Sequence, residues 1–138
     1  MTSVKLHHVV YCVRPENHER AADFWRGLGM TFQEMPLAEE GIRVLLDWSA
    51  GIEIISPTEP VGTETARFWA FLEERGETVY SVVVRTADIE GPISIAARHG
   101  AQVRYQQHRE TGDAVIDEAD LEPVCGMAVT LLATNLPD

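Results

Sequence analysis

The sequence predicts an α+β fold made of two βαβββ modules, and three observations carry that reading. Short apolar or β-branched runs, bounded by Gly, Pro or Ser, recur in threes after each of two amphipathic helices. The glycines that end those helices, Gly29 and Gly100, stand 71 residues apart, and the turns that open them, at Pro15 and Asp88, stand 73 apart. A period this long with two copies indicates a duplicated module rather than a solenoid. Each copy has one helix and an apolar-faced sheet that cannot bury itself alone, so the two are expected to pair across a pseudo-twofold axis.

Residues 6–13 read as the first strand, and Arg14-Pro15-Glu16-Asn17 then opens a helix in which Ala21, Phe24, Trp25 and Leu28 recur at helical spacing. Gly29 closes it as a C-terminal cap. Strands are expected at 30–35, 42–48 and 51–55. A polar segment over 56–63 forms the module boundary, and Phe68, Trp69, Phe71 and Leu72 mark a linking helix over 64–75 that ends at Gly76. The second copy repeats the order: a strand over 79–85, a helix from Ala87 to His99, and strands at 101–106, 113–117 and 127–132. The expected layout is a single domain over 1–138, with module 1 at about 1–57, the linker helix at about 58–77 and module 2 at about 78–138. A single α+β barrel of the ferredoxin-like dimeric kind is the competing architecture; three consecutive strands after each main helix argue against it.

At 138 residues and 45% hydrophobic content, the chain supports one compact core. No run approaches the length of a membrane span, and the N-terminus lacks a basic-then-apolar leader layout. With only Cys12 and Cys125, both read as buried free thiols, a reducing cytoplasmic setting is expected. The net charge of −11, from 22 acids against 11 Lys and Arg, repels phosphate backbones and anionic lipid. Nucleic-acid and membrane partners are therefore not expected; a neutral or cationic small molecule is.

Two strands carry the chemistry. Leu6-His7-His8-Val9-Val10-Tyr11-Cys12-Val13 places His8 on a face shared with Val10 and Cys12, because side chains alternate along a strand. Gly51-Ile52-Glu53-Ile54-Ile55-Ser56-Pro57 carries Glu53 in its middle. If Trp48 and Gly51 flank a two-residue turn, Leu46 lies opposite Glu53, with Val44, Trp48 and Ile55 as an apolar surround. An imidazole and an acid so placed are metal ligands, an acid/base pair or a satisfied polar pair.

The order and spacing of these segments, with Arg67-Phe68-Trp69-Ala70-Phe71-Leu72 and Ser81-Val82-Val83-Val84-Arg85 in the middle of the chain, resemble the vicinal oxygen chelate superfamily. That superfamily includes glyoxalase I, bleomycin-resistance proteins, extradiol dioxygenases and methylmalonyl-CoA epimerase, and the layout is most similar to the epimerase branch. The resemblance implies a homodimer with a U-shaped cup, in which a metal is held by a first-strand and a last-strand residue of each module. Carried over by position, His8 and Glu53 are the ligands of the first module. In the second, the matching positions hold Ser81 and Thr130, and hydroxyls are poor ligands for divalent transition metals.

Three functional expectations follow. In one, His8 and Glu53 hold Fe, Mn, Zn or Ni, with Cys12 or His108 as a third ligand. In another, no metal is present: Glu53 and His8 work as an acid/base pair of an isomerase, lyase or oxygenase, and Ser81 and Thr130 donate hydrogen bonds to an oxygenated substrate bounded by Trp48, Leu46 and Cys12. In the last, resembling the bleomycin-resistance branch, the protein sequesters a bulky, possibly cationic compound. Ligand loss and negative charge both argue against a true acyl-CoA epimerase. Trp25 and Trp69, with Phe24 and Phe68, read as core or dimer packing, and His7, His18 and His99 as exposed or capping residues. Asp117, Glu118, Asp120 and Glu122 read as a solvated acidic loop, with 118–125 as a candidate lid.

Overall fold

A computed structural model describes residues 4–37, 40–58 and 63–138. The elements are β1 (Lys5–Cys12), α1 (His18–Gly27), β2 (Gln33–Met35), β3 (Ile42–Asp47), β4 (Ile52–Pro57), α2 (Thr63–Arg75), β5 (Thr78–Arg85), α3 (Glu90–Arg98), β6 (Val103–Thr111), β7 (Ala114–Leu121) and β8 (Val129–Thr134). The βαβββ order appears twice, with α2 between the copies. Part of the proposed module boundary, residues 59–62, lies outside the described residues.

The chain divides into two compact units, one of His8–Tyr80 and one of Ser81–Asp138 with residues 1–7. In the first, the strands run in the order β2-β3-β4-β1, with β1 parallel to β4 and the other pairs antiparallel. In the second, the order is β5-β8-β7-β6, with β5 parallel to β8. In both cases the module's first strand lies beside its last.

Both glycines chosen as helix ends act through the same local chemistry. Gly29 has φ 113° and Gly100 has φ 89°, which a residue with a Cβ adopts only under strain. The Gly29 amide donates to the Arg26 carbonyl and the Met30 amide to that of Trp25; Gly100 and Ala101 repeat this on Ala97 and Ala96. Paired bonds of this kind satisfy the last carbonyls of a helix and turn the chain back toward the sheet. A 3-10 turn at Pro15–Asn17 precedes α1, where proline's fixed φ and missing amide suit a helix start.

Each helix covers one face of its sheet. Ala22 of α1 packs on Val13, Leu45, Ile52 and Ile54, with Tyr11 and Trp25 against them. Ile89, Ala101, Ala119, Leu121 and Leu131 form the core beneath α3. By alternation, His8 and Glu53 stand on the opposite face of the first sheet, and Ser81 and Thr130 on the opposite face of the second. On α2, Phe68 and Leu72 are buried, and Phe68 and Phe71 each meet Tyr80 at 5.0 Å between ring centroids. Of the core-or-dimer packing expected of Phe24, the core part does not hold: its side chain is exposed on this chain.

The acidic stretch of the second module is not a loop. Residues 118–121 continue β7, which pairs with β6 on one side and β8 on the other. Alternation explains it: Ala119 and Leu121 enter the core beneath α3, so the acids between them are the other face of a strand. Only Glu122 to Ala128 connect β7 to β8, through a turn in which Cys125 has φ 53°.

Candidate functional site

Parallel pairing of β1 with β4 puts Val10 beside Glu53, which brings His8, two residues earlier on the same face, to the carboxylate. His8 Nε2 lies 3.1 Å from Glu53 Oε1. The imidazole is only 6% exposed and the acid side chain 18%, so the contact is largely screened from water. The surround matches the sequence reading. Leu46 pairs with Glu53 across β3 and β4, Val44 and Ile55 are buried, and the Trp48 ring centroid lies 6.2 Å from that of His8. The connection at 48–51 has four residues rather than two, yet the same register survives because Asp47 caps it: its side chain accepts from the Ala50 amide and its carbonyl from Gly51.

The two residues considered as third metal ligands are placed otherwise. Cys12 shares the face of His8 but is fully buried, and burial pushes its thiol up to about 12. A thiol that keeps its proton is a poor metal ligand and is closed to a ligand from solvent. His108 lies on β6 rather than on a loop, exposed, with Nδ1 2.5 Å from Asp117 Oδ1 and Nε2 3.2 Å from Glu110 Oε2. Those carboxylates raise its pKa and so favour the imidazolium, which does not bind metal. Among the described residues, no three His, Cys, Asp or Glu side chains gather to hold a metal ion. The donor set therefore does not fit a resident transition metal of the three-ligand kind.

In the second module, Val83 pairs with Thr130, as Val10 pairs with Glu53, so Ser81 and Thr130 occupy the register positions of His8 and Glu53. The hydroxyls meet each other, Ser81 Oγ to Thr130 Oγ1 at 2.7 Å. Thr130 Oγ1 also donates to Asp120 Oδ1 at 3.0 Å, and Arg104 holds Asp120 through Nε to Oδ2 at 2.9 Å and Nη2 to Oδ1 at 3.2 Å. Ser81, Thr130 and Asp120 are all buried. The sequence reading missed Asp120 and Arg104 because a run of acids resembles a solvated loop. The available signal was the alternation of Ala119 and Leu121 with the acids.

Two histidines also move from their expected surroundings. His18 at the start of α1 is 1% exposed, with Nδ1 2.7 Å from Ser56 Oγ and Nε2 lacking a hydrogen-bond partner. Burial, aided by the Arg43 charge, pushes its pKa down to about 4. The His7 side chain is 4% exposed and points at Asp138, 3.8 Å away. Cys125 is exposed rather than buried. On the α1 side, Tyr11, Asn17, Arg20, Phe24, Trp25 and Glu77 contribute to an open cleft of about 350 Å3 that contains none of the sequence-predicted site residues.

No protein-family model matches the chain, and no curated protein does. Solved structures match it over nearly its whole length. A hypothetical protein of Bacillus halodurans C-125 superposes with a TM-score of 0.75 at 19% identity, covering 99% of this chain and 98% of that one. Methylmalonyl-CoA epimerase from Mycobacterium tuberculosis gives 0.68 at 23% identity, covering 94% and 87%. A Streptomyces coelicolor methylmalonyl-CoA epimerase variant in complex with 2-nitronate-propionyl-CoA gives 0.71 at 20% identity, covering 97% and 100%. These likenesses show the fold: α+β, of the vicinal oxygen chelate type to which the epimerases belong.

Proposed function

We propose that the protein is a metal-independent acid/base enzyme of the isomerase or lyase kind, acting on a small oxygenated molecule with an acidic C–H beside a carbonyl. The observation that carries this reading is the His8–Glu53 contact of 3.1 Å on a strand face otherwise built of Val10, Val44, Leu46 and Ile55. An ionised Glu53 accepts the His8 Nε2–H through Oε1 and keeps its other oxygen for a substrate proton. His8 fixes the orientation of the acid, and the surrounding apolar groups keep competing water away from it. Proton removal by Glu53 beside a carbonyl leaves an enolate; a proton delivered to its other face from water or a second acid gives epimerisation, and expelling a leaving group gives elimination. The epimerase fold is consistent with the first outcome, and the net charge of −11 favours a substrate with fewer negative charges than coenzyme A.

Incubation in D2O with short-chain 2-methyl-branched acyl thioesters, presented both on coenzyme A and on N-acetylcysteamine, and with 2-oxo acids, tests the reading by mass spectrometry. Deuterium uptake at the α carbon that disappears in Glu53→Gln is expected. Uptake that persists in a folded Glu53→Gln protein removes Glu53 from the chemistry. Stoichiometric retention of an unaltered compound, with no exchange, favours the sequestering alternative.

A further inference from the structure

The hydroxyl pair of the second module has a fixed proton order. Both Asp120 oxygens accept from Arg104, and a carboxylate has no proton to offer, so the bond between Thr130 and Asp120 takes the Thr130 hydroxyl proton. With that proton committed, Thr130 Oγ1 serves Ser81 only as an acceptor, and the 2.7 Å contact takes the Ser81 proton. The relay runs Ser81 to Thr130 to Asp120. Both hydroxyl protons are used internally, and what remains on either oxygen is lone pairs.

We infer that Asp120, anchored by Arg104, is a positioning residue that makes the Ser81–Thr130 pair an acceptor-only recognition element, selective for ligand groups that bring their own hydrogen-bond donors, such as an ammonium, an amide N–H or a hydroxyl. This reverses the sequence expectation that the two hydroxyls donate to substrate oxygens. Thr130 is 6% exposed and Ser81 1%, so Thr130 Oγ1 is the oxygen of the pair nearer to solvent. Position 120 is also where the modules diverge. Asp120 pairs with Thr130 as Leu46 pairs with Glu53, so the relay's final acceptor is supplied by the neighbouring strand. The inference is independent of the acid/base reading, because no member of the His8–Glu53 pair takes part in the proton order.

NMR on the full chain at neutral pH tests it in two steps. The Thr130 hydroxyl proton should exchange slowly and show contacts to the Asp120 side chain, and the Ser81 hydroxyl proton should point at Thr130. Titration with methylammonium should then shift the Thr130 methyl and Ser81 amide signals at least tenfold more strongly, per unit concentration, than acetate. In Asp120→Asn, where one oxygen becomes an amide nitrogen, the hydroxyl protons should exchange faster and the two probes should fall within about twofold of each other. Glu53→Gln should leave the whole pattern intact even where it abolishes turnover. A Thr130 hydroxyl directed away from Asp120, or an acetate response equal to that of methylammonium in the unaltered protein, overturns the inference. The unaltered protein decides both points should Asp120→Asn fail to fold.

Discussion

The two modules present the same pair of backbone positions with different chemistry. In the first, an imidazole meets an acid beneath apolar neighbours, and on the proposed function that acid exchanges a proton with a substrate. In the second, two hydroxyls close on a carboxylate already held by arginine. The strand register is shared, Val10 to Glu53 and Val83 to Thr130. What differs is the pair itself and also the residue across the adjoining antiparallel strand, Leu46 in one and Asp120 in the other. A duplicated scaffold fixes where side chains meet, and the pair together with its neighbour then sets the chemistry of the meeting.

The largest asymmetry should appear in catalysis. Glu53→Gln is expected to lower α-proton exchange by about 10²–10⁴-fold, the usual contribution of a positioned base, with the thermal midpoint little changed. Ser81→Ala should lower exchange far less. Equal losses at the two positions, measured with one substrate in D2O, would break the comparison.

In stability the order should reverse. Asp120→Ala removes the partner of Arg104 and the acceptor of Thr130, and should cost about 2–4 kcal/mol in urea unfolding, toward the lower end because the arginine side chain is 28% exposed. Thr130→Glu sets a carboxylate directly across from Asp120 and removes the hydroxyl that bonds it, which together should cost about 2 kcal/mol at pH 7. Glu53→Thr faces Leu46 and should cost under about 1 kcal/mol. A Thr130→Glu protein as stable as Glu53→Thr would show that the residue at 120 does not separate the modules.

The first module also carries a pH liability in His18. Its pKa falls from an ordinary value of 6.5 to about 4 on folding, because the buried imidazole is held neutral. The unfolded chain therefore binds this proton more readily, and the stabilisation present above pH 6.5 is lost as pH falls toward 4. A shift of this size corresponds to about 3 kcal/mol. Unfolding midpoints between pH 7 and 4 should drop in the unaltered protein and drop less in His18→Gln; parallel curves would contradict the assignment.

A small effect of purely backbone origin is expected at Gly29, where φ 113° strains any residue with a Cβ while nothing within 4 Å obstructs one. Gly29→Ala should cost about 1 kcal/mol through backbone conformation alone, read as a shift in urea midpoint. Gly100→Ala should match it if the two caps are equivalent.

The sequence by itself determined the repeat, the helix ends and the face on which His8 and Glu53 stand, because periodicity, glycine caps and strand alternation are local properties of the chain. The family resemblance, not the residue spacing, is what singled out Ser81 and Thr130 as the second-module counterparts of His8 and Glu53. Only the tertiary structure decided that Asp120 is buried on a strand with Arg104 rather than solvated in a loop, that Cys12 is sealed as a thiol, and that His18 is neutral beside Ser56. Those outcomes depend on partners 16, 38 or more residues away and on the exclusion of water around them, neither of which is encoded in the spacing of residue types along the chain.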